Sequence, residues 1–146
     1  MARIVGDSSG ISSITVVDSD EKSSTTIPKA LQDCVTQLDE YFQNKRNTFN
    51  LKLNPEGTEF QKQVWQSLQQ IPYGTTRSYL KQSEALGDVK AIRAVASANG
   101  KNPLWIVIPC HRVIGSNGSL TGYAGGIWRK RWLLEHENPP QQQSLF

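Results

Sequence analysis

Three helical stretches separated by firm stops between residues 58 and 100 constrain this chain more than any other feature. Thr58-Glu59-Phe60-Gln61 has the capping-box pattern, in which threonine and glutamine side chains satisfy free backbone groups at a helix start. Phe60, Val64, Leu68 and Ile71 follow at helical spacing, and Pro72-Tyr73-Gly74 ends the run. A second helix is predicted over about 78–86, closed by Gly87 just past its C-cap, where glycine is favoured. Asp88 then caps a third helix over about 89–99, which Asn99-Gly100 terminates. Two short helices meeting at Gly87-Asp88 make a helix-turn-helix candidate.

The third helix, VKAIRAVASANGK, carries Ala91, Ala94, Ala96, Ser97 and Ala98 as small side chains, with Arg93 the long one among them. Small residues let a helix lie close to another surface. On the helix alone, tight helix–helix packing with Arg93 in solvent is the favoured reading. The alternative is a helix that approaches another surface and projects its arginine into it.

The first third is quieter. ISSITVV (11–17) reads as a strand, followed by the polar, turn-like DSDEKSSTT. Pro28 sits where a helix start tolerates proline, and Leu31, Val35, Leu38 and Phe42 predict an amphipathic helix over 28–43. Cys34 beside that stripe reads as a small core residue, and a short strand is predicted at 48–53. The expected fold class is therefore α+β. Residues 1–57 form a short α/β accessory region, and residues 58–146 form a mainly helical domain with the helix-turn-helix.

A chain of 146 residues buries roughly 68–70% of its unfolded surface, so it needs no disulfide or metal staple. No segment approaches the ~18 consecutive apolar residues of a membrane span, and MARIVGDSSG lacks the basic-then-apolar order of a signal peptide. The expectation is a cytoplasmic protein, or a nuclear one in a eukaryote. Two cysteines, Cys34 and Cys110, and two histidines, His111 and His136, show no metal-ligand spacing, so neither a zinc site nor another cofactor is expected. Charge is uneven: residues 1–57 hold 6 Lys/Arg against 8 Asp/Glu, and residues 58–146 hold 10 against 5. Basic charge gathered in one part of a chain is weakly indicative of a nucleic-acid face.

The chemistry-bearing stretch is IVIPCHRVIG (106–115), which follows the apolar run LWIVI, read as a buried strand or extended segment. Cys110 can be an inert buried thiol or a nucleophile. As a nucleophile it needs a base, because a free thiol has a pKa of about 8.5. His111 is next to it, and Glu137, at the end of a predicted last helix (127–136), can orient that histidine. In an extended segment, adjacent side chains point apart, so a water between Cys110 and His111 is the expected link. GSNGSLTGYAGG is glycine-rich but lacks a P-loop Gly-Lys-Ser/Thr.

Together, Asn102-Pro103, IVIPCHRVIG, Gly122-Tyr-Ala-Gly-Gly126 and Trp132-Leu-Leu-Glu-His-Glu137, with Tyr73-Gly74, Ser78-Tyr79 and the Arg93 helix, resemble the O6-alkylguanine-DNA alkyltransferase family over about residues 58–137. The resemblance implies a single-use repair protein that flips the base and moves its alkyl group from guanine O6 onto Cys110. His111 would be the base through a water, Glu137 would orient it, and Asn102 would brace the active-site turn. Tyr79 would donate to the departing guanine, and Arg93 would fill the vacated base stack. Val113, Tyr123 and the loop would line the base pocket, Ala124 would offer its backbone N–H there, and Lys130 would be a DNA contact. The implied partner is double-stranded DNA carrying O6-alkylguanine, with O4-alkylthymine as a further lesion, bound by a monomer without cofactor or membrane. Ala124 stands where some members have serine, and the first third matches the family weakly. Two readings compete: a non-catalytic DNA-binding module or lesion sensor, and a cysteine hydrolase. The Cys110, His111 and Glu137 set argues against the first, and the lack of a distant histidine against the second.

Overall fold

The computed structural model describes residues 2–17, 26–120, 123 and 125–139. The N-terminal strand expected at 11–17 is β2 (Gly10–Val16), and it pairs antiparallel with β1 (Ala2–Asp7), which sequence patterning did not single out. Gly10, at φ +131°, lies against the chain at Lys52, where a Cβ would come within 2.9 Å of the Lys52 carbonyl oxygen. The strand expected at 48–53 does not form. Only Leu53 makes a single parallel bridge to Ile11, formed by the Ile11 N–H on the Lys52 carbonyl and the Asn54 N–H on the Ile11 carbonyl, at 2.8 Å each.

Helix α1 (Lys29–Phe42) lies where it was predicted, but its buried face differs from the predicted one. Cys34, Gln37, Leu38 and Tyr41 are buried, while Phe42 of the expected stripe is 38% exposed. The polar members tolerate burial because their hydrogen bonds are made. Gln37 exchanges two with the Asn50 backbone, at 3.0 and 2.9 Å, and the Tyr41 hydroxyl donates to Glu137.

Helix α2 (Glu59–Leu68) starts with the predicted capping box: Thr58 Oγ1 accepts from the Gln61 N–H at 3.1 Å, and the Thr58 N–H donates to Gln61 Oε1 at 3.0 Å. Val64, Trp65 and Leu68 face the core, whereas Phe60, placed in the stripe by spacing, is 40% exposed in the first turn. Strand β3 (Arg77–Ser78) leads into α3 (Tyr79–Ala85), which ends at Gly87 with φ +91°. Gly87 and Asp88 return hydrogen bonds to Glu84 and Ser83, the two bonds of a Schellman stop. Asp88 caps a 3₁₀ turn at Val89–Ala91, which runs on into α4 (Ile92–Gly100). Between α3 and α4, Gln82 and Asn99 exchange two buried side-chain hydrogen bonds, at 2.8 and 2.7 Å. That pair fixes the angle of the helix-turn-helix.

Helix α4 bears out the reading favoured above only in part: Arg93 is in solvent and Ala98 is buried, but most of the small residues are not. Val95 and Ala98 point inward, and Arg93, Ala94, Ala96 and Ser97 are exposed. Strand β4 (Val113–Ile114) pairs parallel with β3, and α5 (Ile127–Glu137) closes the described chain. One hydrophobic cluster holds Ile11, Ile14, Leu38 and Tyr41 together with Val64, Leu68, Val95, Ile108 and Leu133. The N-terminal elements thus share the core of the later helices. Among the described residues no helix is long and apolar enough to cross a membrane.

Candidate active site

Residues 104–112 are neither strand nor extended run. The Val107 N–H bonds the Trp105 carbonyl at 2.8 Å around Ile106, whose φ is 70°. A γ-turn of that hand is strained for a β-branched residue, and the Ile106 side chain is held by complete burial. A second γ-turn, of the relaxed hand, follows at Pro109 (φ −84°, ψ 65°), with the Cys110 N–H on the Ile108 carbonyl at 2.8 Å. Asn102 braces both turns. Its Nδ2 donates to the Ile108 carbonyl at 2.6 Å, and its Oδ1 accepts from the Leu104 N–H at 2.9 Å. Cys110–Arg112 then forms a single 3₁₀ turn. Residues in such a turn fan out by about 120° each, so Cys110 and His111 diverge for a different reason than the extended geometry expected.

Cys110 lies in the wall of a cavity of about 230 Å³, together with Tyr79, Asn102, Trp105 and Tyr123. Asn99 and Gly100, at the C-terminal end of α4, form part of the same wall, as do Ile14, Thr15 and Val16 of β2. The hairpin reaches the site because Ile14 pairs with the active-site segment, donating to Pro103 at 2.8 Å and accepting from Trp105 at 3.1 Å. Burial pushes the Cys110 thiol up; Asn102 and the Lys130 ammonium pull it back only in part. Cys110 therefore rests as a thiol at neutral pH and needs a base.

That base is close. His111, fully buried, places Nε2 2.7 Å from Glu137 Oε2. Burial works against charge on Glu137, but hydrogen bonds from His111, Arg112 and Tyr41 outweigh it and hold the carboxyl well below the usual range. An ionised carboxylate only accepts, so the His111 proton is assigned to Nε2, leaving Nδ1 as the free lone pair of the neutral ring. His111 Nδ1 has no hydrogen-bond partner among the described residues. Burial lowers the His111 pKa despite the pull of Glu137. Arg112 grips the same carboxylate through Nε at 2.7 Å and Nη2 at 2.9 Å, while its Nη1 donates to the Ile71 carbonyl at 2.8 Å. Tyr41 completes the set, with its hydroxyl 2.6 Å from Glu137 Oε2.

The expected residues therefore divide. Cys110, Asn102, Tyr79 and Tyr123 meet at the cavity, with His111 and Glu137 buried beside it. Arg93 lies on the exposed face of α4, seven residues and about 10 Å of helix from the cavity end at Gly100. Val113 does not line the cavity; it is wholly buried in the core, where β4 pairs with Arg77. Lys130, expected as a DNA contact, is instead buried: it is 1% exposed, with Nζ 5.7 Å from the centre of the Tyr79 ring. Burial depresses its pKa, opposed by the nearby Cys110. Ala124 lies outside the described residues. Sequence patterning missed Arg112, Tyr41, Trp105 and the β2 wall. Arg112 alone carried a local signal, as a buried-run arginine next to the Cys-His pair. Among the described residues no group of three or more His, Cys, Asp or Glu could hold a metal ion.

An exposed, small-sided second helix of a helix-turn-helix, ending at a cavity with a half-buried thiol and a carboxylate-backed histidine, defines a nucleic-acid-binding cysteine protein. Comparison with known proteins narrows the class. The model of the 6-O-methylguanine DNA methyltransferase DNA binding domain matches residues 59–139, and that of the same family's ribonuclease-like domain matches residues 3–55. The methylated-DNA–protein-cysteine methyltransferase of Methanosarcina barkeri is 52% identical over 109 residues, 75% of this chain and 69% of that protein. Its namesake from Mycolicibacterium paratuberculosis is 49% identical over 124 residues, 84% of this chain and 75% of that protein. The crystal structure of Mycobacterium tuberculosis OGT in complex with DNA superposes with a TM-score of 0.84 at 44% identity, covering 93% of this chain and 85% of that one. The chain belongs to the 6-O-methylguanine DNA methyltransferase family.

Proposed function

We propose that this chain repairs alkylated double-stranded DNA by moving an alkyl group from guanine O6 onto Cys110, once per molecule. Its relatives bear the name methylated-DNA–protein-cysteine methyltransferase, and a similar structure is a complex with DNA. The observation that carries the reading is the Cys110 thiol in a cavity at the end of α4, next to a histidine whose Nδ1 lone pair is free. An O6-alkyl carbon inside a duplex is out of reach of a recessed thiol, so the nucleotide is flipped out at a cost of a few kcal/mol. Arg93, on the exposed face of α4, fills the gap in the stack.

In the reaction the thiol proton passes through a bridging water to His111 Nδ1, and Glu137 holds the imidazolium that forms. Lys130 stabilises the thiolate beside it. The sulfur attacks the alkyl carbon, the C–S bond forms as the C–O6 bond breaks, and the electron pair leaves with guanine. Tyr79 donates to that developing negative charge; the restored guanine, still joined to its DNA strand, takes up a proton, and His111 returns its proton to water. The product is a thioether with no carbonyl for water to attack, so the protein is spent. Residues 58–146 hold the DNA-contacting and acceptor groups, residues 1–57 support them, and one chain acts per lesion.

Incubation with duplex DNA containing O6-methylguanine should add one methyl mass to the intact protein, on the peptide that holds Cys110. Catalytic turnover, or an unchanged mass in a folded, reduced sample, would overturn the proposal. The Cys110→Ala variant should gain no mass and still bind DNA.

A further inference from the structure

Tyr41 belongs to α1, 96 residues away in sequence from the carboxylate it contacts, yet its hydroxyl lies 2.6 Å from Glu137 Oε2 within the core. Its own backbone carbonyl meets His136 Nε2 at 2.8 Å, so one residue of α1 holds two consecutive residues of α5. Neither contact is needed to pack the ring, which has its own neighbours in Phe42, Phe49, Tyr73 and His136. The hydroxyl is fully buried and aimed at the carboxylate that orients His111.

We infer that Tyr41 is a positioning residue of the relay: by donating to Glu137 Oε2 it sets how strongly that carboxylate holds the proton on His111. The inference rests on the alkyl-transfer reading of the same site. Oε2 accepts from three groups at once, His111 Nε2, Arg112 Nη2 and the Tyr41 hydroxyl. Each donor draws charge away from the others, so removing one leaves more negative potential for the rest. The groups facing His111 are Glu137 and Lys130 from α5 and Arg112 from its own turn. Those facing the Tyr41 hydroxyl are Glu137, Arg112 and Tyr73. Arg112 stays fixed by the Ile71 carbonyl whatever happens at Tyr41. Tyr41 is therefore the member of the set whose donor strength is adjustable without unpairing a charge.

The sign follows. Without the Tyr41 hydroxyl, Glu137 favours the imidazolium more strongly, so His111 becomes more basic and is neutral only at higher pH. The acid limb of the single-turnover rate against pH, measured with O6-methylguanine duplex, should move up by about half a pH unit or more in Tyr41→Phe. A purely structural Tyr41 would lower the rate or the stability without moving the limb. An unmoved or lowered midpoint, at any absolute rate, overturns the inference. Replacing Tyr41 by 3-fluorotyrosine in the full chain keeps the ring and strengthens the donor, so the limb should move down. That second replacement decides the matter even if the phenylalanine variant does not fold. The ring-nitrogen NMR titration of His111 in the same proteins should show the same two shifts without substrate. If the unaltered protein takes no alkyl group, the proposed reaction fails, while the titration still supports or overturns the role of Tyr41.

Discussion

Glu137 is where residue-scale energetics and chemistry meet, since one buried carboxylate serves His111, Arg112 and Tyr41. Replacing it with glutamine keeps the shape but removes the charge that offsets the buried Arg112 guanidinium. Breaking a buried pair from one side costs about 3–5 kcal/mol, so Glu137→Gln should lower the denaturant midpoint by that equivalent and slow alkyl transfer. The pH dependence has a definite sign. Glu137 is held below its unfolded value, so the stability it contributes is present above about pH 4.3 and is lost as pH falls toward its folded value. His111 is also depressed, here because burial opposes its charge, so the unfolded chain binds its proton first. Stability should therefore begin to fall below about pH 6.5 and fall further below about pH 4.3. Urea midpoints from about pH 8 down to about pH 2.5 check this, and Glu137→Gln should lose the lower step. A flat profile in the unaltered protein would contradict the assignment of both groups.

At the scale of elements, the Gln82–Asn99 pair ties α3 to α4 and so aims the exposed face of the second helix. Gln82→Leu leaves the buried Asn99 amide unsatisfied, at a cost of about 1–3 kcal/mol. It should also weaken DNA binding through a changed helix angle; thermal melts and a binding titration measure the two effects. Elements with local signals were legible in the sequence. The Thr58 box and the Gly87-Asp88 stop act through residues a few positions apart, and the helices they bound lie where expected. The buried face of α1 was not legible, because Gln37 and Tyr41 count as polar until their partners at Asn50 and Glu137 are in view. The turns at Ile106 and Pro109 were hidden for a related reason: an apolar run reads as a strand, and only the Asn102 brace shows that it must fold back. Of the candidate site, the cysteine, histidine, carboxylate and asparagine were legible from motif order. Lys130 was expected as a DNA contact on the resemblance alone, whereas the helix turns this middle residue of Arg129-Lys130-Arg131 inward.

At the scale of the whole molecule, the exposed face of α4 tests whether groove entry and base capture are separable. Arg93, Ala94 and Ser97 lie on that face, and the same helix ends at the cavity wall with Asn99 and Gly100. In the proposed reaction the face does two things: its small residues let the helix come close to DNA, and Arg93 takes the place of the flipped base. Ala94→Leu adds bulk to an exposed position without touching the core, so its effect falls on the approach to DNA. Arg93→Ala removes the stack-filling group and leaves the approach open. A free O6-alkylguanine base needs neither, because nothing has to be flipped. Flipping costs a few kcal/mol and each 1.4 kcal/mol is a factor of ten, so Arg93→Ala should slow transfer from duplex DNA about tenfold or more. Ala94→Leu should raise the concentration of duplex needed for half-maximal transfer while leaving the maximal rate near that of the unaltered protein. Both variants should react with the free base at the unaltered rate. Equal losses on duplex and free base would mean that the substitutions act through the cavity, and would overturn the assignment of α4 as the element that delivers the base to Cys110.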